Sequence, residues 1–313
     1  MGLYSLCFMF SNMNCGLRFS VVICTYSIDR FGDLLEAIES VKKQRFCNVE
    51  TVIVVDGNRA LYELIIKTGI HDDRIHTHIH LNERNLGLSK SRNIGAEIAT
   101  GDVVAFLDDD AVAEPEWIAR LAELYTRNSA VAAGGKLKPR WVNGAANFIP
   151  EEFWWLVGAN PKGDPDRIME VRNTYGSNIS FNRGVFIQVG GFSTEFGFNA
   201  GKKTVLQGEE ADLCNRIKKL TGASVWYDPE AVVFHKVFKS RVALKALFRR
   251  AFWQGYSKRA MAEKTSESLG QEYGVLGYIL FTGIPERILQ LFFLIAFTGT
   301  VGLGYLYRRL GGK

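Results

Sequence analysis

Between Phe19 and Asn128, short apolar runs alternate four times with segments of helical periodicity. "FSVVICTYS" (Phe19 to Ser27) and "ETVIVVDGN" (Glu50 to Asn58) read as buried strands, "RIHTHIHL" alternates like a strand, and "DVVAFLDDD" is a fourth. Among the helical segments, "DRFGDLLEAIESVKKQ" sets Leu34, Leu35, Ile38 and Val41 on one face, and "LYELIIKTG" stops at Gly69. "LSKSRNIGAEIATG" ends at Gly101, and "EPEWIARLAELYTRN" opens with Glu114 and Pro115 in its first turn. This β-α-β-α-β-α-β-α rhythm leaves few ways to bury every apolar face. It predicts an α/β fold, Rossmann-like, with a mostly parallel sheet, helices on both faces and right-handed crossovers. In such sheets ligands sit outside the carboxyl ends of the strands. Thr25, Asp56 and Asp108 to Asp110 end three of the four strands, so that rim is where chemistry is expected.

Asp108, Asp109 and Asp110 follow five apolar residues directly. Three adjacent carboxylates repel one another and call for a cation or ample solvent. Asp108 and Asp110 have D-x-D spacing, and hard divalent cations such as Mn²⁺ or Mg²⁺ take carboxylates together with substrate phosphates. A solvated acidic turn is the plainer alternative. "DDDAV" also fits the D-x-D-x-T/V pattern of haloacid-dehalogenase-like phosphatases, with Asp108 as nucleophile. That pattern usually lies on the first strand, whereas three strand–helix units precede it here.

"FSVVICTYSIDR", "VIVVDGN", "NERNLGLSKSRNIGAEIATGDVVAFLDDDAV" and "LQGEEADLCNRI" together resemble the family 2 inverting glycosyltransferases of the GT-A fold. The spacing from Asn85 through Gly87, Ser89, Arg92, Asn93 and Gly95 to Gly101 and Asp108 is the most specific part. The resemblance spans roughly residues 19 to 240. It implies a nucleotide-sugar donor bound by Thr25, Tyr26, Asp56, Asn85, Arg92, Asp108 and Asp109, with Thr25 and Asp56 by its base and ribose. Arg92 and the Asp108/Asp110 pair would lie by the diphosphate and metal. Cys24 and Ser27 stand where the family's "PTYN" has Pro and Asn, and a single Asp56 stands where two aspartates are common.

An inverting transfer is one displacement: an acceptor hydroxyl attacks the anomeric carbon while a carboxylate takes its proton. "GEEADL" (Gly208 to Leu213) resembles the family's "GED-x-DL", which supplies that base, with Glu210 in place of the motif's aspartate. Glu210 is the expected base and Glu209 its neighbour or substitute; an acidic helix N-terminus is the bland alternative. Gly176, Ser177 and Asn178 in "YGSNISFNRGVFIQVGGF" fall where the family carries acceptor-facing residues. His235 in "VVFHKV" falls where GT-A enzymes can place a metal ligand, although a histidine after a strand is often structural. His76, His78 and His80 share one strand face and could hold zinc, but a solvated edge strand explains them more simply.

From Lys239 to Arg259, basic residues interleave with Leu244, Leu247, Phe248, Phe252, Trp253 and Tyr256, a pattern for a helix on an anionic membrane surface or docked on the catalytic domain. "ILQLFFLIAFTGTVGLGYLY" (Ile288 to Tyr307) lacks formal charge and as a helix would run about 30 Å, long enough for a bilayer core. "GVLGYILFTGI" (Gly274 to Ile284) precedes it. The division expected is a leader over 1–18, a GT-A domain over 19–240, a basic amphipathic region over 241–273 and a hydrophobic membrane segment over 274–313. The leader has no basic stretch ahead of its apolar patch, so no secretory signal is expected. The five scattered cysteines include no CxxC pair and read as reduced thiols. At 313 residues, 47% hydrophobic and 23% charged, the chain is globular, and a net charge of +5 does not indicate a nucleic-acid binder.

A site at a membrane suggests a lipid-linked acceptor, a saccharide on dolichyl or polyprenyl phosphate. "GGKLKPRW" (Gly134 to Trp141) and "GEEAD" resemble the archaeal glucosyl-dolichyl-phosphate glucuronosyltransferases of protein N-glycosylation. That resemblance implies UDP-glucuronate as donor, with Lys136, Lys138 or Arg140 by its carboxylate. It also implies a place at the cell membrane with the catalytic domain facing the cytoplasm. A non-catalytic, membrane-anchored binder of sugar nucleotides or glycans is the remaining alternative.

Overall fold

The computed structural model describes residues 16–70, 75–195, 207–262 and 288–311. Its first half follows the alternation: β1 (Phe19–Thr25), α1 (Phe31–Lys42), β2 (Val49–Asp56), α2 (Arg59–Lys67), β3 (His76–Asn82), α3 (Leu88–Ile98) and β4 (Val103–Asp108). There follow β5 (Ala111–Ala113), α4 (Trp117–Arg127), β6 (Ala132–Trp141), β7 (Met169–Val171), β8 (Ile179–Asn182), α5 (Arg183–Gln188), α6 (Glu209–Thr221) and β9 (Val225–Val237). The last helices are α7 (Leu244–Ala262) and α8 (Ile288–Arg309).

The sheet order is β3-β2-β1-β4-β8-β6-β9-β5, with β7 alongside β9. β1 pairs in parallel with β2 and β4, and β2 with β3. Thereafter the pairing reverses: β8 is antiparallel to β4 and β6, and β9 to β5 and β7. The expectation of a mostly parallel sheet therefore holds for the first four strands and is corrected beyond them to a mixed sheet. The reversal enters with β8, which pairs antiparallel with both β4 and β6, while β5 leaves β4 after only Asp109 and Asp110 and pairs with β9 instead.

All eight residues of β2 are buried, and β1 has one part-exposed position, Cys24. This is the burial expected of strands covered on both faces. On one face Leu34, Ile38 and Val41 of α1 pack with Trp117, Ile118 and Leu121 of α4. On the other, Ala96 and Ala99 join Phe106, Phe181, Phe186 and Phe192.

The chain divides into two compact units, one from Met1–Lys138, Pro165–Ala200 and Glu209–His235, the other from Pro139–Asp164, Gly201–Gly208 and Lys236–Lys313. Pro139–Asp164 groups with the C-terminal helices in the second unit. The second unit has its own core, in which Phe153, Leu156 and Val157 meet Leu247, Ala251, Phe293 and Phe297. The leader up to Cys15 and the run from Gly274 to Ile284 lie outside the described residues. Among the described residues no helix is long and apolar enough to cross a membrane, so the membrane span expected at Ile288 to Tyr307 is not found. That run is interrupted by Thr298, Gly299, Thr300, Gly302 and Gly304, and Phe293 and Phe297 are buried within the unit.

The glycines let α7 and α8 come close. A Cβ on Gly255 would overlap the Val301 carbonyl, and one on Gly304 would overlap the Phe252 carbonyl. Gly255→Ala is expected to destabilise this unit by about 1–3 kcal/mol through overpacking. Gly299→Ala, where a Cβ meets nothing within 4 Å, leaves stability unchanged or slightly raised. Thermal unfolding of the two variants makes the comparison.

Candidate active site

The parallel strands bring Thr25, Asp56 and Asp108 to one rim of the sheet, and β5 turns back there against β9. In that pairing Ala111 faces His235 across the strands. The register puts the His235 imidazole beside the residue before Ala111, with Nε2 3.2 Å from Asp110 Oδ1. Asp108, Asp110 and His235 can each offer one donor atom so that all three lie within 4.8 Å of one another. Two carboxylate oxygens and an imidazole nitrogen, converging with Asp110 and His235 buried, form a donor set that fits Mn²⁺ or Mg²⁺.

Asp109, the middle aspartate, turns away from that group. Its Oδ2 accepts a 2.8 Å hydrogen bond from Thr25 Oγ1 and its Oδ1 a 3.0 Å bond from Arg30 Nη1. The same Nη1 reaches Asp110 Oδ2 at 2.9 Å. Burial pushes the Asp109 carboxyl up to about 6, against the pull of Arg30 and with further repulsion from Asp110. Arg30 was not among the residues expected from the sequence. Its only signal there is its place in the turn directly after β1.

Arg92 joins the other carboxylates. Its guanidinium is 4% exposed and lies against the rings of Phe106 and Phe192, 5.9 and 5.4 Å from their centroids. Nη2 donates to Asp108 Oδ1 at 2.8 Å, and Nη1 lies 3.8 Å from both Glu209 Oε1 and Glu210 Oε1. Arg92, expected beside a diphosphate, is therefore a buried hub for carboxylates. Asn93 helps to build the hub: its amide clamps Phe192 through Nδ2 to the carbonyl at 2.9 Å and Oδ1 from the N–H at 2.8 Å.

Glu209 and Glu210 open α6, where the helix dipole favours carboxylates. Arg216 fixes that helix, bonding Asp212 Oδ2 at 2.9 Å and the carbonyls of Val189 and Gly191. Burial, and next the charge of Glu209, push the Glu210 carboxyl well above the usual carboxylate range, with Arg92 opposing. A raised carboxyl facing a metal-ligand group is what a general base for a hydroxyl proton requires.

Gly176 closes over this pair, since a Cβ there would overlap Glu210 Oε1 and crowd both Arg92 Nη atoms. Its neighbours are placed differently. Ser177 is buried, and Asn178 is 0% exposed. The Asn178 Oδ1 accepts from Trp117 Nε1 at 2.8 Å while Nδ2 donates to the carbonyls of Lys136 and Ala231. That amide cross-links the core and does not face the open rim.

On the nucleoside side, Asp56 accepts from Asn82 Nδ2 and the Leu86 and Gly87 N–H groups at 2.8 to 2.9 Å, shaping the turn ahead of α3. Asn85 and Tyr26 lie exposed around it, and Asn58 Nδ2 holds the Tyr26 carbonyl at 3.0 Å. His76, His78 and His80 lie on β3, the edge strand, with the His76 and His78 rings edge to face at 4.3 Å. Among the described residues, three metal-type donors converge only at Asp108, Asp110 and His235. Cys24 and Cys214 are free thiols, while Cys7 and Cys15 lie outside the described residues.

Residues 20–190 match the family model for glycosyl transferase family 2. The chain belongs to that family. It is 42% identical over 305 residues to the glucosyl-dolichyl phosphate glucuronosyltransferase of Haloferax volcanii, covering 93% of this chain and 96% of that one. The fold resembles the mannosyltransferase PcManGT of Pyrobaculum calidifontis, solved with GDP-Man and Mn²⁺, with a TM-score of 0.62, 12% identity and coverage of 99% and 94% of the two chains. It also resembles Staphylococcus aureus TarS in complex with UDP-GlcNAc, with a TM-score of 0.55, 16% identity and coverage of 95% and 88%. The protein is thus a glycosyltransferase, and the family match sets aside both the phosphatase reading of Asp108 and the non-catalytic reading. The GT-A arrangement expected from the sequence is the one these neighbours share.

Proposed function

We propose that this glycosyltransferase moves a sugar, with inversion, from a UDP-sugar to a saccharide carried on dolichyl or polyprenyl phosphate, using Mn²⁺ or Mg²⁺. One observation carries the reading: a single buried guanidinium, Arg92, joins a ligand of the candidate metal group, Asp108, to the candidate base, Glu210. The name of the Haloferax relative supports the acceptor class and favours glucuronate as the sugar. Lys136, Lys138 and Arg140 on β6 are then the candidates for the glucuronate carboxylate.

In the displacement, the acceptor oxygen forms its bond to the anomeric carbon as the bond from that carbon to the diphosphate oxygen breaks. Glu210 takes the hydroxyl proton, and the electron pair leaves with the nucleoside diphosphate. Asp108, Asp110 and His235 would hold the metal, which supplies charge neutralisation for the leaving diphosphate. Arg92 keeps Asp108 and Glu210 at a set separation, and Gly176, having no side chain, lets the backbone close on Glu210 and Arg92. Thr25, Tyr26, Asp56 and Asn85 form the nucleoside side.

The second unit suits a place at a membrane surface with the catalytic unit facing the cytoplasm. Phe292, Ile295 and Leu303 of α8 are more than half exposed, and Arg308 and Arg309 follow them. Such a face supports interfacial attachment rather than a span.

The deciding experiment measures transfer from UDP-glucuronate to a glucosyl polyprenyl phosphate with Mn²⁺, after chelation, and in Asp110→Ala. Transfer is expected with metal, lost on chelation and lost in the variant. Undiminished transfer in Asp110→Ala would remove the metal group from the reading.

A further inference from the structure

We propose that Arg30 couples binding of the divalent metal to binding of the nucleoside diphosphate, so that neither binds tightly alone. The inference rests on the metal-dependent reading above and extends it to a residue that reading does not use. Arg30 ends a one-turn 3₁₀ helix, Ile28–Arg30, which begins just past β1. One of its nitrogens, Nη1, lies 3.0 Å from Asp109 Oδ1 and 2.9 Å from Asp110 Oδ2.

Both oxygens of Asp110 are therefore engaged, Oδ2 by Arg30 and Oδ1 by His235, whose Nε2 lies 3.2 Å away. Asp110 is 2% exposed, so water gives these contacts little competition. A metal arriving alone meets a carboxylate already neutralised by a fixed positive charge. It must weaken charge-assisted hydrogen bonds or sit beside a like charge. Asp109 and Asp110 share the one Arg30 guanidinium. A divalent ion that reaches Asp110 by itself would sit beside that like charge.

A diphosphate offers Arg30 another anion, and Arg30 is placed to receive it. Its side chain is 30% exposed against 4% for Arg92, so it can turn toward an incoming anion. The guanidinium fork matches phosphate oxygens bidentately. As Arg30 moves onto the diphosphate, Asp110 becomes available to the metal, and the metal in turn attracts the diphosphate. Each ligand then raises the affinity of the other by the same factor, as linkage requires.

Binding of Mn²⁺ to the full chain, followed by the electron paramagnetic resonance of free Mn²⁺ with and without UDP, tests this. In the wild type, saturating UDP is expected to tighten Mn²⁺ binding by about tenfold or more, within the usual range of coupling between sites. Arg30→Gln is expected to bind Mn²⁺ alone several-fold more tightly and to lose most of the gain from UDP. Arg30→Lys keeps the charge and loses the fork. It should leave binding of Mn²⁺ alone near the wild type and reduce the gain from UDP, which keeps the test open if the glutamine variant fails to fold. An unchanged gain from UDP in either folded variant, or weaker binding of Mn²⁺ alone in Arg30→Gln, overturns the role of Arg30. A wild type that binds no Mn²⁺ even with UDP overturns the metal-dependent reading itself, a different and separable result.

Discussion

Glu210→Gln is expected to lower kcat for sugar transfer by about 10²–10⁴-fold, the range for loss of a positioned general base. The substitution keeps shape and volume, so KM for the donor should stay within a small factor. The carboxamide cannot take the acceptor proton at any pH. In the wild type, burial and Glu209 raise the Glu210 carboxyl, so it is protonated at pH values where an ordinary carboxylate is charged. The base works only when ionised. The kcat/KM profile should therefore fall on the acid side with a midpoint above the ordinary carboxylate range, and that limb should vanish from the residual activity of the variant. Stability should not suffer, because the substitution removes a charge that repels Glu209. Steady-state kinetics across pH, with thermal unfolding beside them, measure all three. A variant retaining near-full kcat would move the base elsewhere.

The second large effect is on stability. Arg92→Met is expected to destabilise the fold by about 3–5 kcal/mol at neutral pH, the loss typical of breaking a buried charge group from one side. Asp108, Glu209 and Glu210 would then face one another without the guanidinium that joins them. The sign with pH follows from proton binding. Without Arg92 the folded state binds protons on these carboxyls more tightly than the unfolded chain does, so stability in the variant rises as pH falls. Denaturant unfolding at pH 5.5 and pH 8 should show the smaller deficit at the lower pH. An equal deficit at both would mean that Arg92 acts through its packing on Phe106 and Phe192 and not through charge.

Much of the catalytic unit was legible in the chain because its first half is built from local patterns. The strands ending at Thr25, Asp56 and Asp108 and the helices between them follow from periodicities within a dozen residues of each other. Parallel pairing then carries those ends to one rim without further information. The D-x-D spacing and the acidic pair opening α6 were visible for the same reason, since each is a matter of near neighbours. Asn178 shows the limit. A polar residue in a glycine-containing turn has the same local signature whether it faces an acceptor or spans the core, and only the partners Trp117, Lys136 and Ala231 decide it.

The C-terminal helix makes a related point. Twenty uncharged residues measure length and hydropathy, but they do not say whether the apolar side is met by lipid or by protein. Gly304, one of the glycines that interrupt the run, also lets α8 close on α7, and Phe293 and Phe297 are buried there by protein.

By itself the sequence determined the strand–helix succession, the acidic rim and the acidic pair that opens α6, because these depend on the type and spacing of residues close in the chain. The tertiary structure alone decided which distant groups share a charge. The β5–β9 register brings His235 to Asp110. Arg92 joins Asp108 to Glu210, and Arg30 bridges Asp109 and Asp110. A carboxylate's partner depends on which oxygen faces which donor across roughly 3 Å, and that geometry exists only once the sheet has closed.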